Sequence, residues 1–284
     1  MDGISVEVRD IGPVGISFSG GADVNYSLVS DHSRLANFFT GIEVFLEKIA
    51  GTQLGASYVR KYDDWDLARE TFGVNARYYF KTVSPYTEIQ YDRLSEAVNE
   101  AVIGVDIFPI SFLALKTEYY HSYPVFDATS IYSVFAVDKY EEILFRADYS
   151  FEDTPLTIAA SYTWQLYEND DDAGVFTVGA NYYPLSALLI NASVNYRDGY
   201  GGKLWGGEIY SNYSLNKDIF LSAGIQHDTY RRPDFSDDED AQRYWLGGSW
   251  TFRKNTSVDG RIEYNVNENF ERNTLGRVSL DWKL

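Results

Sequence analysis

From Ala173 to Tyr196 the chain reads AGVFTVGANYYPLSALLINASVNY, with no Asp, Glu, Lys or Arg. That is long enough for a membrane-crossing helix, but the residues oppose one. Pro184 sits mid-segment among Asn181, Asn191 and Asn195, and Tyr, Val, Thr and Ile are frequent. Proline inside a helix costs about 3 kcal/mol, and β-branched and aromatic residues favour strands. Read with period two, the stretch resolves. Phe176, Val178, Ala180 and Tyr182 share one face, while Thr177, Gly179 and Asn181 share the other. Beyond a turn at 183–186, Leu188, Ile190, Ala192, Val194 and Tyr196 alternate with Leu189, Asn191, Ser193, Asn195 and Arg197. Successive strand side chains point to opposite faces, so the pattern predicts a hairpin with one apolar and one mostly polar face. Each arm is roughly 10 residues, the length of a tilted strand that crosses a bilayer.

The same alternation recurs along the chain. Phe72, Val74, Ala76, Tyr78 and Phe80 interleave with Gly73, Asn75, Arg77, Tyr79 and Lys81, and Ile143, Phe145, Ala147 and Tyr149 with Leu144, Arg146, Asp148 and Ser150. Val258, Ile262, Tyr264 and Val266 interleave with Asp259, Arg261, Glu263 and Asn265. Strands are predicted over 15–30, 35–47, 51–62, 68–82, 85–95, 98–108, 110–122, 141–152, 155–168, 173–184, 186–198, 203–215, 217–229, 241–253, 256–268 and 272–284. That makes about 16, with 14 to 18 left open, after a lead-in at 1–14. Short connections, often holding proline or basic residues, alternate with longer acidic ones: Tyr62 to Asp66, Glu168 to Asp172, and Pro233 to Asp240. The segment His121 to Tyr140 breaks that alternation. It is read as a long loop, either folded inward as a constriction or standing as a rim hairpin.

Composition narrows the class. Aromatics make up 17% of the residues, with 24 Tyr, and mean hydropathy is −0.30, so no other segment approaches a helical span. There is no cysteine, which excludes a disulfide framework, thiolate metal sites and Cys nucleophiles. The net charge of −18 leaves no basic surface for nucleic acid. The start MDGISVEV has no basic residues followed by an apolar run, so Met1 is read as opening a mature exported domain whose signal peptide is not part of the sequence.

Alternation, aromatic residues near strand ends and asymmetric connections together resemble a bacterial outer-membrane β-barrel of the porin type, over nearly the whole chain. The fold expected is all-β: one transmembrane antiparallel up-and-down barrel domain over 1–284, with short periplasmic turns and longer acidic extracellular loops. The resemblance implies a channel for passive diffusion of ions or small hydrophilic solutes. It implies outer-membrane lipid, lipopolysaccharide and the barrel-assembly machinery as partners, a homo-oligomer as one assembly, and no cofactor. Such barrels usually end in an aromatic residue; here Trp282 is in phase with the last strand, but the chain ends at Leu284.

Polar faces turned inward would define the lumen. They carry Arg77, Lys116, Arg146, Arg197, Arg261 and Arg277, and also Glu43, Glu88, Asp106, Glu118, Asp148, Glu208, Asp259, Glu263 and Asp281. These fifteen are the expected pore-lining set. Inward salt bridges that brace the wall, and a polarised constriction that sorts solutes by charge, both fit them. A pair such as Arg261 with Asp281 on the neighbouring strand fits either. The acidic runs 170–172 and 237–240 lack calcium-loop spacing and read as solvated charge rather than as metal sites.

Catalysis is not expected. The histidines are His32, His121 and His227, and the His-x-Ser-Asn-Gly pattern of barrel lipases is absent. The competing non-enzymatic reading is a sheath around a periplasmic multihaem cytochrome, whose haem would belong to the partner. A soluble sandwich or propeller is disfavoured because no blade repeat is visible.

Overall fold

A computed structural model describes residues 2–22, 37–46, 49–123, 139–232, 237–268 and 271–282. Seventeen strands and no helix occur among them. They are β1 (Asp2–Ile11), β2 (Val14–Ala22), β3 (Phe38–Leu46), β4 (Thr52–Asp63), β5 (Asp66–Tyr78), β6 (Val83–Asp92), β7 (Ala97–Ile110), β8 (Leu113–Ser122) and β9 (Tyr140–Ser150). There follow β10 (Leu156–Tyr167), β11 (Ala173–Leu185), β12 (Leu188–Gly199), β13 (Lys203–Ser214), β14 (Ile219–Arg231), β15 (Glu239–Arg253), β16 (Thr256–Asn267) and β17 (Asn273–Trp282). Consecutive strands pair antiparallel in one up-and-down sheet. Chain contacts group into two compact units. The first is Met1–Pro109, Lys116–Leu144 and Leu166–Asn169; the second is Ile110–Leu115, Phe145–Gln165 and Asp170–Leu284.

The hairpin predicted at 173–196 is β11–β12, with Phe176 opposite Tyr196, Val178 opposite Val194 and Ala180 opposite Ala192. Directly opposed residues share a face, so the apolar set of one strand meets the apolar set of the next. The chain of partners Ala192–Ile209–Ile225–Tyr244–Tyr264 carries that face across five strands.

What sits on each side is the reverse of a soluble protein. Among the described residues the buried hydrophobics are Ala68, Ala101 and Ala173, whereas Val74, Ile103, Phe145, Ile209, Leu246 and Ile262 are more than half exposed. The largest fully buried side chains are Glu70 and Asp92. Dozens of exposed aliphatic and aromatic residues without an apolar core are untenable in water and natural against hydrocarbon. A soluble sandwich or propeller is therefore ruled out on packing.

Four expectations are corrected. The lead-in at 1–14 contains a full strand, because Ile4, Val6 and Val8 alternate with Ser5, Glu7 and Arg9 and pair with β2 through a tight turn at Gly12, whose φ is +69°. This brings the strand number among the described residues to 17, within the 14 to 18 left open. The acidic stretch Tyr62 to Asp66 is not a long loop: Asp63 pairs with Asp66, and Asp64 and Trp65 hold φ values of 50° and 70° in a two-residue hairpin turn. Residues 79–82 lie outside the strand predicted to end at 82, and the strand predicted to start at 85 begins at Val83, with Pro85 opposite Val105. Of the long connection 121–140, the stretch 124–138 lies outside the described residues, as do His32 and Leu284.

Candidate functional site

The polar face of the sheet is the candidate site, and register fixes what each of its side chains meets. Glu43 faces Ser17 and Ser57; Arg77 faces Gln53 and Tyr86; Glu88 faces Asn75 and Val102; Asp106 faces Ser84. In the second unit, Arg197 faces Val175 and Leu204, and Glu208 faces Ser193 and Gln226. Asp259 lies between Ser249 and Ser279, Arg261 between Gly247 and Arg277, Glu263 between Trp245 and Leu275, and Asp281 opposite Ser257. Lys116 and Glu118 stand two residues apart on β8, as do Arg146 and Asp148 on β9. Most of these partners are polar or glycine; Val102 opposite Glu88, Val175 and Leu204 beside Arg197, and Leu275 opposite Glu263 are the aliphatic exceptions.

Several of these charges neutralise one another. Lys116 Nζ lies 3.0 Å from Glu118 Oε2, and Arg146 binds Asp148 through two contacts of 2.7 Å. Arg261 Nε is 2.6 Å from Glu263 Oε1, and Arg77 lies 3.9 Å from Asp106. Glu208 is met at 3.5 Å by Arg243, a cation the sequence reading passed over although it alternates with Tyr244 and Leu246 on β15. The anticipated pair of Arg261 with Asp281 does not form. The β16–β17 register sets Arg261 against Arg277 instead, four residues from Asp281. Arg197 donates to the Tyr200 carbonyl oxygen at 2.8 Å.

Two aromatic side chains organise the cations. In the first unit the Tyr86 hydroxyl donates to Glu118 at 2.5 Å, and its ring lies 4.5 Å from the Arg77 guanidinium and 5.7 Å from Lys116 Nζ. In the second, the Trp245 indole lies between Arg243 at 5.0 Å and Arg261 at 5.6 Å. Each ring rests on a glycine of the adjoining strand, Tyr86 on Gly104 and Trp245 on Gly224, where a methyl group would overlap the ring. Cation–π contact holds each guanidinium along the wall instead of letting it extend freely. Alternation could have flagged the rings as polar-face residues, but not their stacking.

A cluster on the other face was also missed. Glu70, 1% exposed, accepts from Arg60 Nε at 3.0 Å, Arg60 Nη2 at 2.8 Å, Arg93 at 2.8 Å and the Tyr58 hydroxyl. Its register partners place it beside the ring pair Tyr58–Phe72 and below the stacked rings of Phe38 and Tyr62. Charge amid a band of rings on the apolar face marks the level where a membrane-spanning wall meets the polar interface.

No family model matches the sequence, and no curated protein matches it. Comparison by structure does. A loop-deletion mutant of OmpT, an outer-membrane protein of Vibrio cholerae, aligns over 99% of both chains with a TM-score of 0.53 at 12% identity. The chain has the outer-membrane β-barrel fold. Undeleted OmpT aligns over 92% of this chain and 89% of its own, with a TM-score of 0.50 at 11% identity. A mutant of the Rhodobacter blastica porin gives 0.48 at 17% identity over 98% of this chain and 99% of its own. Barrels of this fold turn one sheet face to lipid and the other inward. The polar face of the barrel sheet and its exposed aliphatic face then acquire opposite solvents.

Proposed function

We propose that the chain is an outer-membrane channel for passive diffusion of ions or small hydrophilic solutes, with its polar face as the lining and residues 1–284 as one transmembrane domain. The observation that carries this reading is the segregation that predominates across the sheet: charge, hydroxyl and amide mostly on one face, exposed Val, Ile, Leu, Phe and Tyr mostly on the other. Only a wall with lipid on one side and water on the other stabilises both faces at once. The stacked Arg77–Tyr86–Lys116 and Arg243–Trp245–Arg261 groups present fixed positive charge, and Glu43, Glu88, Asp259 and Asp281 present negative charge, for solutes passing along that face. No catalytic role is assigned to it. The tight turns at 12–13, 111–112, 186–187 and 254–255 lie at one rim, which we assign to the periplasm; the acidic connection 168–172 lies at the other.

Reconstitution into a planar bilayer tests the proposal. Stepwise conductance in symmetric KCl is expected, with charge selectivity read from the reversal potential across a salt gradient. Folded protein that inserts yet passes no current would overturn it, and co-purification with a haem-bearing partner would then favour the cytochrome sheath.

A further inference from the structure

Many charges on the polar face are spent on each other; several on β16 and β17 are not. On the polar face of β14 to β17 a basin of about 570 Å³ is lined by Arg261, Arg277, Asp259 and Asp281, together with the hydroxyls of Ser249 and Ser279. Arg261 and Arg277 are direct cross-strand partners. Like charges so placed repel, a cost a sheet does not bear without compensation. Arg261 has Glu263, but among the described residues Arg277, Asp259 and Asp281 take part in no ion pair or hydrogen bond. Gly247, on the far side of Arg261, leaves the floor open.

The charges are ordered along the strands. The two guanidinium groups form one row. Asp259, flanked by Ser249 and Ser279, forms the next row two residues toward the β15–β16 turn, and Asp281 lies two residues further. At a rise of about 3.3 Å per residue, adjacent rows are roughly 7 Å apart. The basin is thus formally neutral but dipolar. A lone anion would gain the arginines and meet Asp259; a lone cation would meet the reverse. We infer that this basin is a binding subsite for zwitterionic solutes of dipeptide size, the carboxylate lying between Arg261 and Arg277 and the ammonium against Asp259. The inference rests on the channel reading only in assigning the polar face to water. In that reading it makes the basin a station on the solute's path, because bidentate arginine contacts hold a carboxylate in a set orientation.

The test is isothermal titration calorimetry on the full chain in detergent at low salt, with glycylglycine, acetate and methylammonium as probes, beside bilayer conductance of the same preparation. Glycylglycine is expected to bind more tightly than either single ion. Arg277→Gln and Asp259→Asn should each weaken it at least tenfold, and Arg277→Lys should restore part of the loss. Unchanged heat-modifiable migration on gels confirms that each variant is folded. Acetate binding as tightly as glycylglycine, with Asp259→Asn indifferent, would overturn the inference in favour of a plain anion site. Absence of glycylglycine binding by protein that conducts would also overturn it while leaving the channel standing. Binding by protein that does not conduct would support the subsite and defeat the channel.

Discussion

The indole of Trp245 rests on Gly224, its direct partner across the β14–β15 ladder. The ring needs that vacancy to sit between Arg243 and Arg261. Phe45 on Gly15 and Tyr86 on Gly104 repeat the arrangement, each an aromatic residue set against a glycine one strand away on the polar face. Three independent instances make the glycine part of how this wall accommodates rings on its polar face.

Gly224→Ala should therefore be costly where glycine-to-alanine usually is not. The methyl group would force the indole off its site, an overpacking penalty of about 1–3 kcal/mol. Gly276→Ala is the control, since an added Cβ there meets nothing within 4 Å. Midpoints of urea unfolding for protein folded into lipid vesicles should fall for the first variant and stay near the parent for the second.

Charge on the polar face should set selectivity. Arg261→Glu puts a carboxylate beside Trp245 and Arg277 and removes one of the two stacked guanidinium groups. The reversal potential in a KCl gradient should move toward cation preference, with the conductance steps retained. A charge change of the same sign on a loop outside the lining should shift it much less, because exposed charges beyond about 8–10 Å are screened.

The apolar face should reject what the polar face tolerates. Leu246, at the middle of β15 and 58% exposed, would face hydrocarbon. Leu246→Arg should cost about 2–4 kcal/mol of folding into the bilayer. Ser193→Arg, opposite Glu208 on the other face, should cost little. Comparing the two by vesicle folding yield and urea midpoint distinguishes the faces by energy.

Glu70 should matter more than either of its arginines. It is the acceptor shared by Arg60, Arg93 and the Tyr58 hydroxyl, whereas Arg60 and Arg93 keep 40% and 63% of their side chains in contact with solvent. Removing a shared buried partner strands several groups, and removing one exposed donor strands none. Glu70→Gln should lower the melting temperature in detergent more than Arg93→Gln.

Period-two alternation disclosed the architecture because it is local: Phe176, Val178 and Ala180 announce their face without knowing their partners. Register is not local. A two-residue slip keeps every side chain on its face, so the polar face was legible while the pairing of Arg261 with Arg277 rather than Asp281 was not. The strand at Asp2–Ile11 was passed over because Glu7 and Arg9 made its start look like a polar lead-in. Trp65 hid a two-residue turn, since a bulky residue at positive φ is rare. The Glu70 cluster had no sequence signal, its members being drawn from β4, β5 and the residue after β6.

The chain has no cysteine, so a single introduced thiol reports on one position alone. Ser193 and Val194 are neighbours whose side chains leave opposite faces of β12. With Ser193→Cys and Val194→Cys folded into lipid vesicles, labelling by a membrane-impermeant maleimide compares the two sides of the wall directly. Rapid labelling at 193 and protection at 194 is the predicted result; protection at 193 with rapid labelling at 194 would mean that water and lipid had been assigned to the wrong faces.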